Sequence, residues 1–244
     1  MTVPRLYHPN SSLAPGQIAQ LDAKTSHHVI RVLRLRKNSE VILFNGDGNE
    51  YLSELVDENT KHCSVRINSI QTRQTESPIK IILMQGVSRG DRMDTCLQKS
   101  TELGVHVIVP VICERTQVRF KDKQAIKKQE HWNQIIISAC EQSGRCVIPE
   151  LKPAITYEEA LKIANARFKI ILDPESKTGI KSFEQPEGDI CLMVGPEGGL
   201  TQNEIDSAVE NNFKQIQFGP RILRTETAGP ACIAAMQTLW GDLG

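Results

Sequence analysis

The chain has 244 residues, with 29 basic and 29 acidic side chains that cancel to a formal net charge of zero. Bulk charge therefore announces no nucleic-acid or membrane-surface partner, and any such contact must use a local patch. With 39% hydrophobic and 24% charged residues, and apolar runs no longer than a strand, the composition is that of an ordinary soluble protein without a membrane span. Seven cysteines, an odd number with no C-x-x-C pair, argue against a disulfide framework and a zinc knuckle and predict buried, reduced thiols. Met1 to Arg5 contain no apolar signal region, so a cytoplasmic location is expected. The length fits one large domain, or a small domain joined to a larger one.

Residues 1–72 read as the small domain. A turn-rich start (Pro9, Asn10, Ser11, Ser12, Pro15, Gly16) leads to a basic stretch from Lys24 to Lys37. Strand-like pieces follow at Val41–Phe44, Tyr51–Val56 and Cys63–Ile67, with a turn at Gly46-Asp47-Gly48. Alternation broken by an Asp-Gly turn is a hairpin signal, and closely spaced short strands predict a small antiparallel barrel. Gln71 to Pro78 is polar and without period, which places a linker there.

From residue 73 to 244 strands alternate with helical segments. Ile79–Gln85 is a strand, Asp91–Leu103 a helix closed by Gly104, and Val105–Val111 a strand. Lys123–Ser143 reads as a long helix with Ile126, Trp132, Ile135, Ile136, Ala139 and Cys140 inward. Thr156-Tyr157-Glu158-Glu159 and Thr201-Gln202-Asn203-Glu204 are capping boxes, each opening a helix. Strands at Phe168–Leu172, Asp189–Val194 and Phe213–Phe218 precede a last helix, Ala228–Trp240. This alternation makes the fold class α/β, with a parallel sheet covered on both faces.

Two loops organise that second part. Gly195-Pro196-Glu197-Gly198-Gly199-Leu200 follows the apolar run Ile190–Val194, and Gly219 to Ala228 follows Ile216-Gln217-Phe218. Each reads as a loop leaving the carboxyl end of a buried strand, the edge where open α/β sheets bind ligands, and the two strands are expected to be neighbours. Neither loop is a familiar phosphate cradle, since G-x-G-x-x-G after a strand and G-x-x-x-x-G-K-[ST] are both missing. Glu197 suits a cation or a ribose diol better than a phosphate. S-adenosylmethionine, with its positive charge, hydroxyls and adenine, meets that description.

Two stretches are locally basic. Lys24, Arg31, Arg34, Arg36 and Lys37, with His27 and His28, contain no acid, and Arg115, Arg119, Lys121, Lys123, Lys127 and Lys128 face only Asp122. Guanidinium forks suit phosphate oxygens, so RNA or DNA contact is expected. The six histidines make no metal pair at helical spacing and no G-x-S-x-G elbow occurs, so no metal is expected. Polar groups also gather at Lys99–Gly104, Glu141–Arg145 and Arg224–Thr227, where helix-end caps and ion pairs are the plain alternative.

These stretches together resemble one family. Gly195–Gly199 with Arg221–Ala228 is similar to the cofactor loops of the SPOUT methyltransferases. Lys99–Val105, Glu141-Gln142-Ser143 with Arg145, and His28–Leu35 narrow the resemblance to the bacterial small-subunit ribosomal RNA methyltransferase E family, over nearly the whole chain. Leu200, where the family usually has Phe, and Gly229-Pro230 are small departures. The resemblance implies a PUA-like β-barrel RNA-binding domain (1–72) and a SPOUT α/β domain (73–244) with a C-terminal trefoil knot that no spacing reveals. It implies S-adenosylmethionine-dependent methylation of a uridine N3 in 16S ribosomal RNA of the small ribosomal subunit, by a homodimer without metal or membrane. Carried over by motif, the cofactor contacts are Leu172, Gly195, Glu197, Gly199, Phe218, Gly219, Leu223, Arg224 and Thr225.

For the transfer itself, Arg224 or Arg145 is expected to stabilise charge on the uracil oxygens, and Glu226 or Glu141 to take the proton. Arg5, Lys24, His28, Arg31, Arg34, Arg36, Arg115 and Arg119 are expected to hold RNA. A SPOUT enzyme acting on another nucleotide and a non-catalytic RNA-binding assembly factor are the alternatives.

Overall fold

In the computed structural model, residues 3–9, 12–118 and 122–244 are described. The chain divides into two compact units, Met1–Glu76 with Cys140–Ile148, and Ser77–Ala139 with Pro149–Gly244. A single cut after residue 72 therefore leaves out a return segment that belongs to the first unit.

In the first unit β1 (Arg5–Tyr7), β2 (Ile18–Gln20), β3 (Glu40–Phe44), β4 (Asn49–Leu55) and β5 (Ser64–Thr72) form a five-stranded sheet in the order β1-β3-β4-β5-β2. Three of the pairings are antiparallel, as the alternation predicts, but β1 runs parallel to β3. The turn-rich start hides that strand, because three residues between prolines and polar turns carry too little periodicity. Strand β5 also runs through Thr72, into the stretch expected to be linker. Alternate residues such as Val41, Leu43, Val65 and Ile67 bury one face over Leu21 and Val29. Helix α1 (Ala23–His27) is capped by Asp22, whose carboxylate accepts the Lys24 and Thr25 amides at 2.8 and 2.9 Å. A π-helical turn, His28–Val32, continues it.

The second unit is a parallel seven-stranded sheet. It comprises β6 (Ile81–Gly86), β7 (Val107–Ile112), β8 (Glu150–Leu151), β9 (Ile155–Thr156), β10 (Phe168–Leu172), β11 (Ile190–Val194) and β12 (Lys214–Ile216). The order is β12-β10-β11-β6-β7-β8, with β9 paired to β7. Strand β11 has β10 and β6 as neighbours and all five of its residues are buried, which is why its sequence is an unbroken apolar run. Strands β11 and β12 are not neighbours as expected; both pair with β10, which lies between them.

The helices are α2 (Asp91–Glu102), α3 (Asp122–Ser143), α4 (Tyr157–Ile163), α5 (Gln202–Glu210) and α6 (Thr225–Trp240). Both predicted capping boxes form: Thr156 and Glu159 open α4, and Thr201 and Glu204 open α5. Trp132, Ile136, Ala139 and Cys140 of α3 are buried, but Ile126, expected inward, is 62% exposed. Helix α6 packs on α2, β6 and β11, begins three residues earlier than its sequence signal, and carries Pro230 inside. All seven cysteines are free and buried, and burial pushes the Cys96 thiol up to about 12. Among the described residues, no helix is long and apolar enough to cross a membrane.

Candidate active site

The carboxyl ends of β10, β11 and β12 open onto one cleft of about 850 Å³, within the ~300–1,000 Å³ usual for small-molecule sites. All nine residues of the expected cofactor set line it. Leu172 ends β10; Gly195, Glu197 and Gly199 come from the loop after β11; Phe218, Gly219, Leu223, Arg224 and Thr225 come from the stretch after β12. With β10 between the two loop-bearing strands, Leu172 sits between the loops. Apolar Val194, Leu200, Ile205 and Ile216 complete much of the wall.

The loops are held together by buried polar contacts. Thr225 Oγ1 donates to the Gly195 carbonyl at 2.7 Å and accepts from Gln85 Nε2 at 2.9 Å. Gln85, 1% exposed, also donates to the Gly86 carbonyl at 3.1 Å, and its Oε1 accepts from Cys96 Sγ. Gly86 ends β6 directly against the first loop, where a Cβ would meet Pro196 N at 2.4 Å and Gly195 C at 2.7 Å. The loop turns through Gly199 at φ +70°, whose amide donates to the Pro196 carbonyl at 2.9 Å. Arg115 clamps the far side, its Nη1 3.0 Å from the Gly198 carbonyl and 3.4 Å from that of Leu200. Gln85, Gly86 and Arg92 carry no local signature, so sequence reading misses them. They reach the cleft through the β6–β11 pairing and the helix that follows β6.

A line of charges borders the cleft. Glu197 Oε1 accepts the Arg89 amide at 2.7 Å and Arg92 Nη1 at 3.1 Å. Burial works to raise the Glu197 carboxyl, but the amide bonds and the Arg92 guanidinium outweigh it and hold the group below its ordinary value. Arg92 Nε lies 4.0 Å from Glu226 Oε1, and Arg224 Nη1 approaches the same oxygen at 4.0 Å. Arg224 is 82% exposed at its side chain, whereas Glu226 Oε2 is buried and has no hydrogen-bond partner among the described residues. A buried carboxylate oxygen without a partner, beside an exposed cation, calls for a role at the site.

The other expected site residues lie elsewhere. Arg145 and Glu141 do not line the cleft. Both belong to the first unit, where Arg145 is 3% exposed and forks onto the Glu76 carboxylate. Glu141 accepts the Tyr7 amide at 3.0 Å; burial pushes its carboxyl up, against that bond and the charges of His28, Lys24 and Arg5. Arg5, expected on the RNA face, is drawn inward to pair with Glu50 and to lie over the Phe44 ring. Lys24, His28, Arg31, Arg34 and Arg36 are exposed on α1, the π-helical turn and the residues after it. Arg36 pairs with Glu58 at 2.9 Å. Arg119 lies outside the described residues. Among the described residues no His, Cys, Asp and Glu cluster could hold a metal ion.

An RNA methyltransferase domain matches residues 75–237, and an RNA methyltransferase PUA domain matches residues 21–68. The chain is 34% identical to ribosomal RNA small subunit methyltransferase E of Buchnera aphidicola (Schizaphis graminum), over 99% of this chain and 98% of that one. It is 33% identical to the Bacillus subtilis protein of the same name, over 86% of each. Among solved structures, ribosomal RNA small subunit methyltransferase E of Neisseria gonorrhoeae bound to S-adenosyl methionine is 43% identical, with a TM-score of 0.93 over all of both chains. A methyltransferase from Legionella pneumophila, in complex with the same cofactor, is 38% identical, with a TM-score of 0.97 over all of both.

Proposed function

Because the chain belongs to the ribosomal RNA small subunit methyltransferase E family, we propose that it methylates small-subunit ribosomal RNA with S-adenosylmethionine, at N3 of a uridine in 16S RNA. The observation that carries this reading is the bond from Thr225 to Gly195, which joins the two loops over one cleft lined by every expected cofactor residue. The residues fit the donor: apolar walls for an adenine, the Glu197 carboxylate for a ribose diol, and glycine loops that bring backbone close.

The bound donor supplies an already activated methyl group, so no metal is needed. The protein must align the base, accept the imide proton and stabilise the developing oxyanion; alignment alone is worth up to ~7–11 kcal/mol. Arg224, exposed at the cleft, offers its guanidinium to a uracil oxygen. Glu226 is the proton acceptor of this reading, through the oxygen that faces the two arginines. Arg145 and Glu141, held within the first unit, are left to structure there. The basic face of Lys24, His28, Arg31, Arg34 and Arg36 holds the RNA backbone. A cytoplasmic homodimer and a trefoil knot in the second unit belong to the same reading.

The test is nucleoside mass spectrometry of small ribosomal subunits incubated with the protein and labelled S-adenosylmethionine. Label in 3-methyluridine from 16S RNA is the expected result. Label in another nucleoside moves the target, and an unlabelled subunit together with no cofactor binding by calorimetry leaves an RNA-binding assembly factor.

A further inference from the structure

Arg92 belongs to none of the clusters that the sequence singles out, yet it lines the cleft from the first turn of α2. Its Nη1 is 3.1 Å from Glu197 and its Nε 4.0 Å from Glu226 Oε1. Arg224 Nη1 stands at the same 4.0 Å from the same oxygen. The other oxygen of Glu226 is buried and, among the described residues, has no hydrogen-bond partner. Both guanidinium groups thus compensate Glu226 through one oxygen.

The two cations differ in freedom. Arg224 is 82% exposed and follows Ile222, itself 86% exposed, on the loop that borders the cleft. Arg92 is 48% exposed and is fixed at its other end by Glu197, which the Arg89 amide pins at 2.7 Å. A largely buried carboxylate left without a counter-charge is costly, so Glu226 would hold back any cation that was its only one.

We propose that Arg92 is a positioning residue for the methyl transfer: it is the permanent counter-ion of Glu226, and so releases Arg224 to the incoming base. This rests on the reading above, in which Arg224 meets the substrate and Glu226 works beside it. Among the described residues, Arg92 and Cys96 of α2 and Arg224 at the start of α6 are the charged and titratable groups that face Glu226, with Glu197 reached through Arg92.

The experiment compares full-length wild type, Arg92→Ala, Arg92→Lys, Glu226→Gln and the Arg92→Ala/Glu226→Gln double variant. Cofactor Kd is measured by calorimetry, kcat at saturating cofactor with small ribosomal subunits, and folding by Tm. Arg92→Ala is expected to lower kcat about 10-fold or more, with cofactor Kd within about 3-fold because the Arg89 amide still holds Glu197. Arg92→Lys keeps the charge and should recover at least about a third of the lost kcat. The double variant should turn over no more slowly than Glu226→Gln alone, since Arg92 acts through Glu226.

Losses that multiply in the double variant overturn the proposal. So does a cofactor Kd about 10-fold weaker in Arg92→Ala with kcat unchanged, which would make Arg92 a brace for Glu197 only. Wild type that neither binds the cofactor nor transfers label sinks the functional reading itself, an outcome distinct from both.

Discussion

The hydroxyl of Thr225 donates to the carbonyl of Gly195 at 2.7 Å, a single bond that ties together two loops thirty residues apart in sequence. The same oxygen receives Gln85 Nε2 from the end of β6, so three segments of the second unit meet at one atom. Thr225→Val keeps the shape and removes both bonds. It should cost about 1–3 kcal/mol of stability, because the Gly195 carbonyl loses its donor and the Gln85 amide an acceptor. It should also weaken cofactor binding, whereas Thr225→Ser stays near wild type. Thermal melts and calorimetry on the three proteins check this; equal Tm for Val and wild type would remove the bond from the energetics.

Gly86 sets how closely β6 and the first loop approach. A Cβ there meets backbone atoms of Gly195 and Pro196 at 2.7 Å or less, and backbone cannot swing aside as a flexible side chain would. Gly86→Ala should displace the loop, lower stability by about 1–3 kcal/mol and weaken cofactor binding about 10-fold or more. Titration calorimetry reads the second effect, and wild-type affinity would mean that the loop tolerates the shift.

The two arginines expected to act on the substrate should separate cleanly. Arg224 is exposed, so Arg224→Ala should melt like wild type and lose turnover about 100-fold or more. Arg145 is buried with its guanidinium on Glu76, so Arg145→Ala should destabilise by about 3–5 kcal/mol. Paired melts and turnover assays decide it: a stable, slow Arg145→Ala would restore that residue to the mechanism.

Acid should undo the grip on Glu197. Its carboxyl is held below the ordinary value near 4.5, so its contribution to stability is complete above that value and is lost as pH falls through the lower folded value. The Tm gap between wild type and Glu197→Gln should therefore be widest near neutrality and close in acid. A gap that stays constant from about pH 7 to about pH 3 would contradict the assignment.

Much of the site could be read from the sequence because its parts are local. Gly195–Gly199 and Arg221–Ala228 each follow a visible apolar strand, and the capping boxes at Thr156 and Thr201 announce their helices within four residues. What stayed hidden depends on contacts distant along the chain. Arg89 meets Glu197, 108 positions away, and Gln85 meets Thr225, 140 away, through sheet order rather than through any motif. The basic residues Arg5 and Arg115 read as RNA contacts because sequence gives charge but not its partner. The fold sets one on Glu50 and the other on loop carbonyls.

Pro230 brings no amide hydrogen to α6, so the backbone carbonyl of Glu226, four residues earlier, receives no ladder bond from it. The opening turn is closed instead by the Thr227 and Ala228 amides on the Arg224 carbonyl. Thermal loosening of that turn can therefore stop at the proline, leaving the remainder to Trp240 wound. In deuterium uptake the two parts of the rod would exchange as separate blocks, with the faster one carrying Thr225 and Glu226.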